Sequence, residues 1–182
     1  MRLHTIDAVL GGDGSQFYCE KEWTLSMGAK HETFVDLLQR RVRETPQQQA
    51  YTFLVDGETD AVHLTYEELD RQARAIGARL QSLGVAGERA LLLYPPGLDY
   101  IAAFFGCLYA GVIAVPAYPP QRRRTLPRLQ AILEDSQSKL ALTTVQIHAN
   151  VQRLWSQDPG LADLQKPHWL ITETLTEDSE TR

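Results

Sequence analysis

Hydrophobic positions change their rhythm several times along the chain, and each change marks an element. Phe34, Leu37, Leu38 and Val42 recur at helical spacing behind Thr33, a residue suited to cap a helix N-terminus, and Pro46 closes the pattern. AYTFLV (50–55) and AVHLT (61–65) then flank Asp56–Gly57, which predicts a hairpin with a long loop. Thr65-Tyr66-Glu67-Glu68 has the spacing of a capping box: the Thr65 hydroxyl accepts from the Glu68 amide while the Glu68 carboxylate reaches back to the Thr65 amide. The helix this opens carries Leu69, Ala73, Ile76 and Leu80 on one face and ends at Gly84.

Beyond Gly84 the apolar runs become short and continuous. ALLLY (90–94) reads as a strand buried on both faces. Pro95-Pro96-Gly97 turns the chain, a helix is predicted over 98–110, and VIAVP (112–116) reads as a second buried strand. A helix over 126–137, LALTT (140–144), a helix over 145–155 and HWLIT (168–172) complete the series. Strand and helix in alternation predict an α/β fold, a mainly parallel sheet with flanking helices and right-handed crossovers. Residues 1–30 are weakly periodic, with Gly11, Gly12 and Gly14 as loop, and read as an extended leader; 31–173 form the α/β unit, and polar 174–182 a linker or tail.

Composition narrows the class. With 182 residues, 43% of them hydrophobic, the chain carries enough apolar mass for one core. A net charge of −5 argues against general nucleic-acid binding. Cys19 and Cys107 form neither a disulfide framework nor a metal-ligand spacing, so a reducing, cytoplasmic setting is expected. The first residues lack the basic-then-apolar pattern of a signal peptide. Tyr100–Gln121 contains no charged residue and has the length of a membrane span. Gly106, Gly111 and Pro116 interrupt it and VIAV is β-branched, so the reading is a buried helix followed by a buried strand.

Candidate chemistry is sparse. No Gly-rich phosphate loop follows a strand, and no nucleophile elbow occurs. His4, His31, His63, His148 and His168 have no partners at metal spacing, and His63 reads as a satisfied strand residue. Glu68 has its capping role, and Cys107 lies in the most apolar helix as a neutral packed thiol. The residues alone assign no catalytic, cofactor-binding or metal-binding position.

Two stretches carry a resemblance. LTYEEL (64–69), with Thr65, Tyr66 and Glu68, resembles the first core motif of the adenylate-forming enzymes, the superfamily of acyl-CoA synthetases, luciferases and peptide-synthetase adenylation domains. LYAGVIAVPAYPP (108–120), with Gly111, Pro116, Tyr118, Pro119 and Pro120, resembles the second. Tyr94-Pro95-Pro96-Gly97 and Ala117-Tyr118-Pro119-Pro120 are similar to the fatty acyl-AMP ligase branch, and the likeness runs from about Thr33 to Ile171. It implies the N-terminal subdomain of an enzyme that uses ATP and Mg2+ to turn a fatty acid into an acyl-adenylate. The acyl group then passes to the phosphopantetheine of an acyl carrier protein, for polyketide, peptide or lipid synthesis. The family's phosphate loop, roughly Ser/Thr-Gly-Ser-Thr-Gly-x-Pro-Lys-Gly, does not occur in these residues. None of the family's catalytic residues therefore maps here, and an N-terminal portion, inactive without the remainder of the ligase, is the expectation.

Arg122, Arg123 and Arg124 follow the stiff Pro119–Pro120 pair and precede Thr125, a residue suited to N-cap the next helix. Three cations there face the positive end of a helix dipole, unfavourable by up to ~1 kcal/mol each when exposed. Two readings stand: a solvated basic loop paired with nearby carboxylates, or a docking patch for the acidic carrier protein or its phosphopantetheine arm. Nucleic acid is disfavoured, since no aromatic platform accompanies the patch. In CoA-using relatives basic residues open the helix after the next strand; here VQIHANVQR offers only Arg153, late, which favours acyl-AMP ligase over acyl-CoA synthetase. A non-catalytic interaction or regulatory module is the alternative of a different class.

Overall fold

The computed structural model describes residues 7–10, 16–19, 32–58, 60–120, 126–156 and 164–175. The chain divides into two compact units, Met1–Glu32 and Thr33–Arg182. In the first, β1 (Asp7–Leu10) pairs antiparallel with β2 (Gln16–Cys19), Val9 opposite Phe17. The glycine-bearing stretch between them lies outside the described residues.

The second unit opens with α1 (Phe34–Glu44), capped as a box: Thr33 Oγ1 accepts from the Asp36 amide at 3.1 Å and the Asp36 carboxylate from the Thr33 amide at 3.0 Å. β3 (Gln49–Leu54) and β4 (Ala61–Thr65) form the antiparallel hairpin, with Tyr51 opposite Leu64 and Phe53 opposite Val62. Its loop is held by Asp56, whose Oδ1 accepts from the amides of Glu58 and Asp60, each at 2.9 Å. α2 (Tyr66–Ser82) starts in the expected capping box, Thr65 Oγ1 accepting from Glu68 N at 3.2 Å and Glu68 Oε2 from Thr65 N at 2.8 Å. These bonds to the ionised form hold the Glu68 carboxyl below its ordinary value.

The remaining elements alternate: β5 (Arg89–Leu93), α3 (Leu98–Ala110), β6 (Ile113–Ala117), α4 (Leu126–Ser136), β7 (Leu140–Thr143), α5 (Val145–Ser156) and β8 (His168–Ile171). Gly111 ends α3 in the left-handed conformation, φ 66°, which favours glycine, and its amide donates back to Leu108 O. The four strands form one parallel sheet in the order β6-β5-β7-β8. Alternate side chains go to opposite faces. Ala90, Leu92, Leu140, Leu142 and Leu170 share a core with Leu69, Ile76 and Leu80 of α2 and with Ala102, Ala103 and Cys107 of α3. Leu91, Leu93 and Ala141 share another with Leu126, Leu129 and Leu133 of α4 and Val151 of α5.

One expectation needs correcting. The strand ending in Pro116 is not buried: β6 lies at the sheet edge among the described residues, and Ile113 is 50% exposed. Its apolar run suits a strand covered on both faces, yet Pro116 has no N–H for a further ladder, and proline is confined to edges for that reason. No described helix is long and apolar enough to cross a membrane, which agrees with reading the uncharged stretch as a helix plus a strand.

α2 lies directly on α3 because glycine meets side chain on both sides of the contact. A Cβ built on Gly106 would stand 2.6 Å from Ile76 Cγ2 and 2.8 Å from Ile76 Cβ; one on Gly77 would stand 2.9 Å from Tyr109 Cβ. Ile76 is fully buried and branched at the offending carbon, so it has no flexible end to move aside. Gly106→Ala is therefore expected to lower stability by about 1–3 kcal/mol despite the better helix propensity of alanine, measured as a lower urea midpoint at unchanged m.

Candidate functional site

The crossovers place the site. The chain leaves β5 into α3, on one face of the sheet, and leaves the neighbouring strands β6 and β7 into α4 and α5, on the other. Where adjacent strands send their connections to opposite faces, a crevice opens at their carboxyl ends. It is present here, about 800 Å³ in volume, walled by Pro95 and Pro96 after β5, by Pro116–Pro120, and by Leu129, Ile132, Ile147 and Leu154 of α4 and α5. A second cavity of about 330 Å³ shares Pro95, Pro96, Pro116, Ala117 and Tyr118 as its wall and adds Tyr94 and Tyr100. Tyr118 stands between the two, 81% exposed.

The chemistry of this crevice is unusual in two respects. Five of its lining residues are prolines, which carry no amide hydrogen, so these loops have little backbone with which to cradle an oxyanion. Among the described residues its charged lining is Arg128 and Arg153, with no carboxylate in that lining, in a chain that is acidic as a whole. Arg153 Nη2 donates to Asn150 Oδ1 at 3.1 Å, one turn back on α5, which links two of the residues that line the crevice.

Beneath the crevice a polar belt ties the carboxyl ends of three strands together. Thr143 Oγ1, fully buried, donates to Leu93 O at 2.7 Å, and the Thr172 amide donates to Thr143 O at 3.1 Å. Tyr94 Oη and Thr172 Oγ1, both buried, share a hydrogen bond at 2.8 Å. Burial raises the Tyr94 phenol far above its ordinary value, so it stays neutral. At the start of α5, Ile147 N donates to Thr144 Oγ1 at 3.3 Å and Val145 N to Glu173 Oε2 at 2.8 Å. Asp99, in the first turn of α3, is surface-exposed, yet surrounding atoms and the Glu173 charge both raise its carboxyl.

The structure separates the motif residues. Pro116, Tyr118, Pro119 and Pro120 line the crevice. Thr65 and Glu68 cap α2, Tyr66 lines a smaller apolar recess between α1 and the hairpin, and Gly111 ends α3. Arg122, Arg123 and Arg124 lie outside the described residues. Arg128, Ile132 and Asn150 were not foreseen; their signal was helical spacing, Arg128 to Ile132 and Asn150 to Leu154. Elsewhere, burial pushes the Cys107 thiol up to about 12, as suits a packed neutral cysteine. His63 Nδ1 is paired with Thr52 Oγ1 at 3.0 Å across the hairpin. Tyr109 donates to Asp70, which also pairs with Arg74 Nε at 2.6 Å, and burial pushes the phenol up to about 12; this network joins α2 to α3 away from the crevice lining. Among the described residues no three His, Cys, Asp or Glu side chains converge to hold a metal.

Comparison with known proteins places these features in company. The family model described as AMP-binding enzyme matches residues 38–181. The medium-chain-fatty-acid–[acyl-carrier-protein] ligase JamA of Moorena producens is 44% identical over 79% of this chain and 24% of its own length. The long-chain-fatty-acid–AMP ligase FadD32 of Mycolicibacterium smegmatis is 36% identical over 71% of this chain and 20% of its own. The fatty acyl-adenylate ligase of Legionella pneumophila, solved with acyl adenylate and pyrophosphate, superposes with a TM-score of 0.66 at 35% identity, over 82% of this chain and 25% of that one. The chain thus spans about a quarter of the length of the relatives it matches.

The buried Tyr94–Thr172 pair yields a sharp test. Tyr94→Phe and Thr172→Val each leave one buried hydroxyl without its partner and should each cost about 1–2 kcal/mol. Made together they leave none, so the double variant is expected to cost less than the sum of the two, read from a double-mutant cycle of denaturant unfolding.

Proposed function

The chain belongs to the AMP-binding enzyme family, and we propose that it is the N-terminal α/β portion of a fatty acyl-AMP ligase. In the complete enzyme a fatty-acid carboxylate oxygen attacks the α-phosphorus of ATP, pyrophosphate leaves, and the acyl-adenylate passes its acyl group to the phosphopantetheine thiol of an acyl carrier protein with release of AMP. The observation that carries this reading is the proline-walled crevice at the carboxyl ends of β5 and β6, built from the residues that mark the acyl-AMP ligase branch. The fatty-acid and carrier-protein specificities in the names of the similar ligases support it. A cytoplasmic location fits a chain whose Cys107 is a buried free thiol.

The described residues of the crevice do not fit ATP and Mg2+. Bearing the charge of an attacked triphosphate needs converging amide donors, cations or a metal. Among its described residues the crevice supplies two guanidiniums against five prolines without an N–H. We therefore assign no reacting group to this chain, and give it the wall of the site and a face toward the carrier protein. The purified 182 residues should catalyse no fatty-acid-dependent exchange of pyrophosphate into ATP. Exchange above the no-enzyme background would refute the assignment.

The arginine run is given to the carrier protein. Steering by surface charge acts mainly on the rate of encounter. Arg122→Glu with Arg124→Glu in the complete enzyme is expected to slow carrier loading on the order of tenfold while adenylate formation is unchanged. Equal loss in both steps, or in neither, returns the run to a solvated loop.

A further inference from the structure

We propose that Glu173 is a positioning residue for the crevice, a carboxylate latch that sets α5 in place from the end of the neighbouring strand. β8 ends at Ile171, and two residues later Glu173 Oε2 accepts from the amide of Val145, the first residue of α5, at 2.8 Å and 28 positions away in sequence. A helix leaves its first amides without partners inside itself. Here Thr144 Oγ1 satisfies Ile147, a local contact that follows the helix wherever it points. The bond from Glu173 is different, because it comes from the turn that follows a separate strand and so ties the helix to that strand's end.

That strand end is itself held. The Thr172 amide donates to Thr143 O at 3.1 Å and the Thr172 hydroxyl is bonded to buried Tyr94, so Glu173 projects from a segment locked to both β5 and β7. From Val145 the helix presents Ile147, Asn150, Arg153 and Leu154 to the crevice, spaced three, three and one residues apart on one side. A rotation or shift at the first turn carries all four, the Arg153 guanidinium included. A negative side chain at the positive end of the helix is also favourably placed. The latch rests on the reading of the crevice as the working face of the ligase.

Amide exchange and side-chain resonances of the 182-residue chain test it, with Glu173→Ala and Glu173→Gln as variants. The alanine variant is expected to speed exchange at Val145 on the order of tenfold while the Leu92 and Leu142 amides keep their protection, and to displace the Asn150 and Arg153 side-chain signals. The glutamine variant keeps an acceptor oxygen at the same reach and should restore both. It should still lower the Asp99 carboxyl toward its ordinary value, because the neighbouring charge is gone. Unchanged Val145 exchange in the alanine variant, or a glutamine variant that fails as alanine does, overturns the proposal. Should alanine unfold the chain, the glutamine result decides alone. Neither fatty acid, ATP nor carrier protein enters the measurement, so failure of the ligase reading would be seen separately.

Discussion

A parallel sheet must be covered on both faces, and in this chain that requirement falls on β5. Ala90 and Leu92 face α2 and α3 while Leu91 and Leu93 face α4 and α5, and all four are buried. Neither layer can be omitted without exposing leucines worth about 1.5–3 kcal/mol each. Because crossovers keep one hand, helices on both faces require the connections to run in both directions from the centre of the sheet. The reversal between β5 and its neighbours follows, and the crevice opens there. Its position is thus a consequence of covering the core.

The loops that leave into the crevice explain its chemistry. Prolines at 95, 96, 116, 119 and 120 stiffen the strand exits and leave five positions of the crevice wall without an amide donor. Such a wall holds its shape, but it makes a poor grip for phosphate. Positive charge comes from Arg128 and Arg153 on the flanking helices, and the described lining adds no carboxylate to offset it.

Much of this was legible in the residues, for identifiable reasons. The N-cap at Thr33, the capping box at Thr65, the runs ALLLY and LALTT, and Gly111 are local signals whose physics involves a few neighbours, and the elements stand within a residue or two of where the pattern puts them. Strand order is not local. Nothing in VIAVP separates an edge strand from a central one except Pro116, and its missing N–H tells only after the neighbours are known. The crevice residues divided the same way. Pro116–Pro120 stood out as a motif, whereas Arg128 and Asn150 are ordinary helix-surface residues until two helices turn them toward one gap.

The belt under the crevice was the least visible part, since its members are far apart in sequence and common in type. Tyr94 and Thr172 are separated by 78 positions. A buried hydroxyl is tolerated only with a partner, and the described part of the chain leaves no buried side-chain polar atom without one. Placing threonines at 143, 144 and 172 on strand ends costs apolar burial that valine would supply. The return is directional: van der Waals packing lets a strand slide, whereas a hydrogen bond at 2.7–2.8 Å does not. Leucines make the centre of this sheet stable, and polar contacts at its carboxyl edge make the crevice a fixed shape.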